Sequence, residues 1–90
     1  MNSRFERCLA DADSAARELR TLRDLLRYAV SRFESAGLAY GHGTDNAWDE
    51  AVALLLWALH LPPEPLDPWL DARLVRAERR AAVELIERRV

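Results

Sequence analysis

The sequence predicts an all-α fold, a small bundle of three main helices and one short one, and two observations carry that reading. Ala, Leu, Arg and Glu dominate, and all are strong helix formers. The 90 residues hold only three Gly and four Pro, with every proline between Pro62 and Pro68. Then there is spacing: Leu19, Leu22, Leu26, Ala29, Phe33 and Ala36 recur at alternating steps of three and four, the period of one helix face. With 50% hydrophobic and 31% charged residues the chain can bury one core. At this length that core must take nearly every large apolar side chain.

The elements follow in order. Residues 1–13 have little apolar periodicity; Ser3 followed by Glu6 fits a capping box, but the segment reads as a loosely attached leader to a single domain over 14–90. The first main helix is expected over about 15–36, starting either at Ser14 or near Thr21, where Thr21 and Asp24 offer a cap. Leu25 and Val30 widen its stripe, Arg20, Arg23 and Arg27 lie off it, and Gly37 ends it. The loop that follows holds Gly41 and Gly43. Asn46 then caps a second helix over about 47–60, with Asp49 and Glu50 at its positive end. The body of that helix, Ala51 to Leu59, is apolar all round, so it is expected to be the enclosed, central helix with Trp57 in the core. Pro62, Pro63 and Pro65 stop it, and Asp67-Pro68 opens a short helix to about residue 73 that turns Trp69 and Leu70 inward. The last helix, about 76–90, lines Ala82, Val83, Ile86 and Val90 on one face and sets Glu84 four residues before Arg88. It is still amphipathic at Val90, with no stop residue, which suggests a longer protein.

Charge and reactive groups narrow the function classes. A formal net charge of −2 makes no global case for nucleic acid or acidic membranes. All thirteen basic residues are Arg, which removes lysine Schiff-base chemistry. Cys8 is the only cysteine, so no internal disulfide forms and a reducing compartment is the simpler reading. The N-terminus carries no apolar export signal, and the most apolar run, Ala51 to Leu61, is too short to span a bilayer. A cytoplasmic monomer with no membrane attachment is expected.

No catalytic constellation emerges. Gly41-His42-Gly43 lacks the third glycine and the preceding strand of a dinucleotide fingerprint, and Gly43-Thr44 lacks the Lys of a P-loop. His42 and His60 with one Cys cannot close a zinc site, so they read as a turn residue and a helix-terminal residue. Asp49 and Glu50 are explained by their place in a first helical turn. Trp57 and Trp69 are expected in the core, while Trp48, near a helix start, is open between packing and contact. Arg20, Arg23 and Arg27 form either a solvated face or a set of phosphate contacts.

One stretch goes beyond composition. The run from Leu25 to Phe33, and above all Tyr40-Gly41-His42-Gly43-Thr44-Asp45-Asn46-Ala47-Trp48-Asp49-Glu50-Ala51-Val52, resembles the N-terminal domain of the HemK-like ribosomal-protein glutamine methyltransferases, the PrmB family. The resemblance covers about Leu19 to Val90. It implies a helical domain preceding a Rossmann-like domain that binds S-adenosylmethionine and methylates the side-chain amide of a glutamine in a large-subunit ribosomal protein. The family's glycine-rich cofactor loop and Asn-Pro-Pro-Tyr loop are absent from these residues, so no catalytic, cofactor-binding or metal residue carries over. This chain alone is expected to be inactive, with the cofactor held by a C-terminal domain. What the resemblance leaves here is recognition of the protein substrate, expected at Tyr40, His42, Thr44, Asp45 and Trp48. Glycine geometry and capping explain Gly41, Gly43 and Asn46 without a partner. Two other readings remain: a free-standing helical interaction or regulatory module, and a nucleic-acid-binding domain using Arg20, Arg23 and Arg27.

Overall fold

A computed structural model of the chain describes residues 14–40 and 45–90. The expected 1–13 leader, with Cys8, and the loop residues His42 and Thr44 lie outside them. Among the described residues the secondary structure is helical apart from one isolated bridge, as the composition predicts. A first turn, α1, covers 14–18; α2 runs Leu22–Ala36, α3 Ala47–Leu59, α4 Asp67–Leu70 and α5 Arg76–Arg89.

The first main helix is therefore divided rather than continuous over 15–36, and local hydrogen bonding divides it. The Thr21 hydroxyl accepts the Asp24 N–H at 3.1 Å, and the Asp24 carboxylate accepts the N–H groups of Thr21 at 3.2 Å and Arg20 at 3.0 Å. This capping box gives the backbone a better arrangement at residues 19–21 than another helical turn would. Burial works against the charge on Asp24, but the hydrogen bonds its carboxylate accepts from the backbone of Arg20 and Thr21, aided by the Thr21 side chain and the charge of Arg27, outweigh it and hold the carboxyl below its ordinary value. At the other end Gly37 adopts φ 63°, and the N–H groups of Gly37 and Leu38 return to the carbonyls of Glu34 and Phe33.

The chain reverses the expected ranking of helices. α2 is the hub, packed against α3, α4 and α5, and its Leu22, Leu25, Leu26, Ala29 and Phe33 are all sealed from water. α3, expected at the centre, buries Ala47, Ala51, Leu55 and Leu56 against α2 and α5 and leaves its other side open. Trp57, expected in the core, is 72% exposed. The reason is geometric: two neighbouring helices cover one side of a third, so an apolar girdle is only partly enclosed. Trp69, also expected in the core, is only partly buried and packs against it, while Leu70 is buried.

α4 ends after one turn, short of residue 73, because Arg73 is drawn into an antiparallel bridge with Thr21 while the Leu74 N–H donates to the Arg20 carbonyl at 3.0 Å. That bridge places the start of α5 beside the start of α2. α5 turns Ala82, Val83 and Ile86 into the core, but Val90 is exposed, and Glu84 pairs backward with Arg80 at 3.0 Å rather than with Arg88. A bidentate pair locks α5 to α2: Arg32 donates to the two Glu87 oxygens at 2.8 and 2.6 Å, and the Tyr28 hydroxyl donates to Glu87 at 2.7 Å.

Candidate protein-recognition surface

The segment singled out by sequence leads from the end of α2 into the start of α3, and its base is fixed by α5. Arg89 donates to the Glu50 carboxylate at 2.7 Å and to the Ala39 carbonyl at 3.2 Å, so one guanidinium ties the entry to the loop and the first turn of α3 together. Asn46 caps α3, accepting the Asp49 N–H at 2.8 Å while its amide donates to the Asp49 carboxylate at 3.2 Å. The Asn46 cap is the one read from the sequence.

The five expected contact residues separate on inspection. Tyr40 packs against the edge of the core; its hydroxyl is buried with no hydrogen-bond partner among the described residues, and burial, reinforced by the charge of Glu34, raises its pKa. Asp45 is exposed. Trp48 is 45% exposed and stands at the head of α3. His42 and Thr44 belong to the undescribed stretch 41–44.

Trp48 opens onto a feature that sequence reasoning missed. Val52 and Leu56 follow it at steps of four along α3, Trp57 stands beside them, and Leu61 and Leu66 from the proline-rich connector close the far side. Together they line an open groove of about 440 Å³, with Asp49 at one edge. His60 makes the connector turn away here, adopting φ 56°, with the His60 and Leu61 N–H groups capping the carbonyls of Trp57 and Leu56. The signal was present: a helix apolar on every side, in a domain too small to cover every side, must expose one of them.

The described residues offer little chemistry of their own. No group of three or more His, Cys, Asp or Glu gathers at metal-binding distance among them. They contain no strand, and of the three glycines only Gly37 is described, serving as a helix cap. Among the described residues no helix is long and apolar enough to cross a membrane.

Of the three basic residues weighed as phosphate contacts, Arg23 pairs with Asp71 at 3.0 Å and Arg27 donates to Ser31 at 3.2 Å. Arg20 alone of them faces a cluster of other arginines.

Comparison with known proteins settles the relationship. The chain is 64% identical over 73 residues to the ribosomal protein uL3 glutamine methyltransferase of Bordetella pertussis, across 81% of this chain and 24% of that protein. Proteins of the same name from Neisseria gonorrhoeae and Burkholderia pseudomallei are 58% and 60% identical, over 86% and 78% of this chain. The chain matches the N-terminal domain of the PrmB family. It spans about a quarter of the length of these curated relatives, 24%, 26% and 23% respectively. No protein-family model matches it, and no solved structure does.

Proposed function

We propose that this chain is the substrate-recognition domain of an S-adenosylmethionine-dependent protein-glutamine N-methyltransferase acting on the large-subunit ribosomal protein uL3. The substrate class comes from the names of the relatives; the recognition role rests on one observation, the exposed apolar groove headed by Trp48 and flanked by Trp57. A lone glutamine amide offers little binding energy, so selecting one glutamine in one protein requires contacts remote from the reacting atom. Two exposed tryptophans over a leucine-lined floor are the kind of anchor site that dominates protein–protein binding energy. In this reading an apolar segment of uL3 lies along Val52, Leu56 and Trp57. Asp45 and Trp48 meet it at one end, with His42 and Thr44 contributing from the loop.

Calorimetric titration of the chain with purified uL3 tests the reading. Trp57→Ala is expected to weaken binding by roughly tenfold or more, the scale of a hot-spot residue. Its melting temperature should stay within about 4 °C of the parent, as suits a mostly exposed side chain. Equal affinity in the parent and the Trp57→Ala and Trp48→Ala variants, or no binding by the parent, refutes it.

A further inference from the structure

At the opposite end of α2 from Gly37, five arginines meet. Arg17 from α1, Arg20 from the break before α2, Arg73 from the bridge, and Arg76 and Arg79 from the first turn of α5 surround an open hollow of about 310 Å³ floored by Leu74. They are far apart in sequence and are assembled by the Thr21–Arg73 bridge and the Leu74-to-Arg20 hydrogen bond.

This arrangement opposes stability rather than serving it. Arg76 and Arg79 sit at the positive end of a helix, where a cation is unfavourable and an acid is favoured. Four of the described arginines outside the hollow find carboxylates, Arg23 with Asp71, Arg32 with Glu87, Arg80 with Glu84 and Arg89 with Glu50, while Arg27 donates to Ser31. Among the described residues Arg20, Arg73, Arg76 and Arg79 pair with none, and no carboxylate lines the hollow. Two acids in the flanking turns are engaged on backbone, Asp24 with the N–H groups of Arg20 and Thr21, Glu78 with the N–H of Val75 at 3.0 Å. The Nε of Arg79 is buried with no hydrogen-bond partner among the described residues. Four guanidinium groups gathered with no carboxylate among the described residues suit an anion from outside.

We propose that this hollow binds the phosphate backbone of a nucleic-acid strand. Guanidinium groups grip phosphate oxygens through two parallel N–H donors, and several on one open surface suit a repeating anion better than a single one. An acidic protein partner fits less well, because Leu74 is the only apolar lining residue and a protein interface needs a desolvated anchor. No aromatic side chain lines the hollow, so it reads charge and not base identity. The site is separate from the Trp48–Trp57 groove and does not depend on what that groove holds.

Fluorescence anisotropy of the chain with a labelled oligouridylate tests the proposal. Four contacts predict a salt slope near −2.8, about fifty-fold weaker binding between roughly 50 and 200 mM salt. Arg73→Glu with Arg76→Glu should reduce the slope by about half or more, while Arg88→Glu, exposed on the far turn of α5, leaves it unchanged. The melting temperature of the double variant should hold or rise, since like charges and an unfavourable helix-end charge are removed together. A DNA oligonucleotide binding alike supports a backbone site. The proposal is overturned if the chain does not bind, if Arg88→Glu weakens binding as much as the double variant, or if melting and binding fall together. It is equally overturned if polyglutamate or inorganic phosphate competes as well as RNA at equal charge.

Discussion

Replacing Glu87 by Gln tests the principal polar tie in the fold. Glu87 accepts from both donor atoms of Arg32 and from the Tyr28 hydroxyl, all within 2.8 Å, and its side chain is 15% exposed against 35% for Arg32. Gln keeps the shape but removes the charge and one acceptor, so the half-buried guanidinium loses the carboxylate it grips through two donors. Surface pairs contribute up to about 1 kcal/mol, whereas breaking a buried one costs about 3–5 kcal/mol. With one partner nearly buried and the other a third exposed, about 2 kcal/mol is the expected loss, or roughly 8–16 °C in melting temperature for a domain this size. Linkage gives a second signature. The hydrogen bonds from Arg32, aided by that from Tyr28, overcome burial and hold the Glu87 carboxyl below its ordinary value. A depressed carboxylate stabilises the fold fully above its unfolded pKa of about 4.3, and that contribution fades as pH falls through the lower folded value. The gap between parent and Glu87→Gln should therefore be constant from neutral pH to about pH 5 and narrow below it. Thermal melts followed by circular dichroism across that range decide the matter. A variant melting within about 2 °C of the parent at pH 7, or a gap that persists unchanged near pH 3, refutes the reasoning.

Two further predictions concern the helix ends. Thr21→Ala removes the hydroxyl that accepts the Asp24 N–H and should cost about 1 kcal/mol in urea unfolding, with α2 intact by circular dichroism. His60→Gly should do the reverse, adding roughly 0.5–1 kcal/mol, because φ 56° strains a residue with a Cβ and suits glycine; a loss of stability would show that the imidazole makes a contact worth more than the strain.

The helices α2 and α3 were legible because their ends are marked in chemistry: Thr21 with Asp24, Gly37, Asn46, the prolines after Leu61. What faces which neighbour was less so. Periodicity shows that Val52 to Leu59 is apolar on all sides, but not how many helices are available to cover it, and Trp57 was placed inside on that account. The groove followed from the same residues once coverage was known. The arginine hollow was illegible for a different reason. Arg20 could be seen beside Arg23 and Arg27 on one helix, yet its real neighbours are Arg73, Arg76 and Arg79, brought in by a single backbone bridge that no propensity encodes. Arg23 and Arg27, which share its face in sequence, are turned to Asp71 and Ser31 instead.

The connector from Leu61 to Leu74 has a consequence for how the domain opens. Its one helix, α4, packs on α2 alone, whereas α2, α3 and α5 each touch the other two. Four of its residues are prolines and bring no amide hydrogen to the fold. The connector can thus peel away as a local unit while the three-helix core stays closed, and its amides would lose protection from exchange well before those of Leu25 to Phe33. The same strap supplies Leu61 and Leu66 to the tryptophan groove and Arg73 and Leu74 to the arginine hollow.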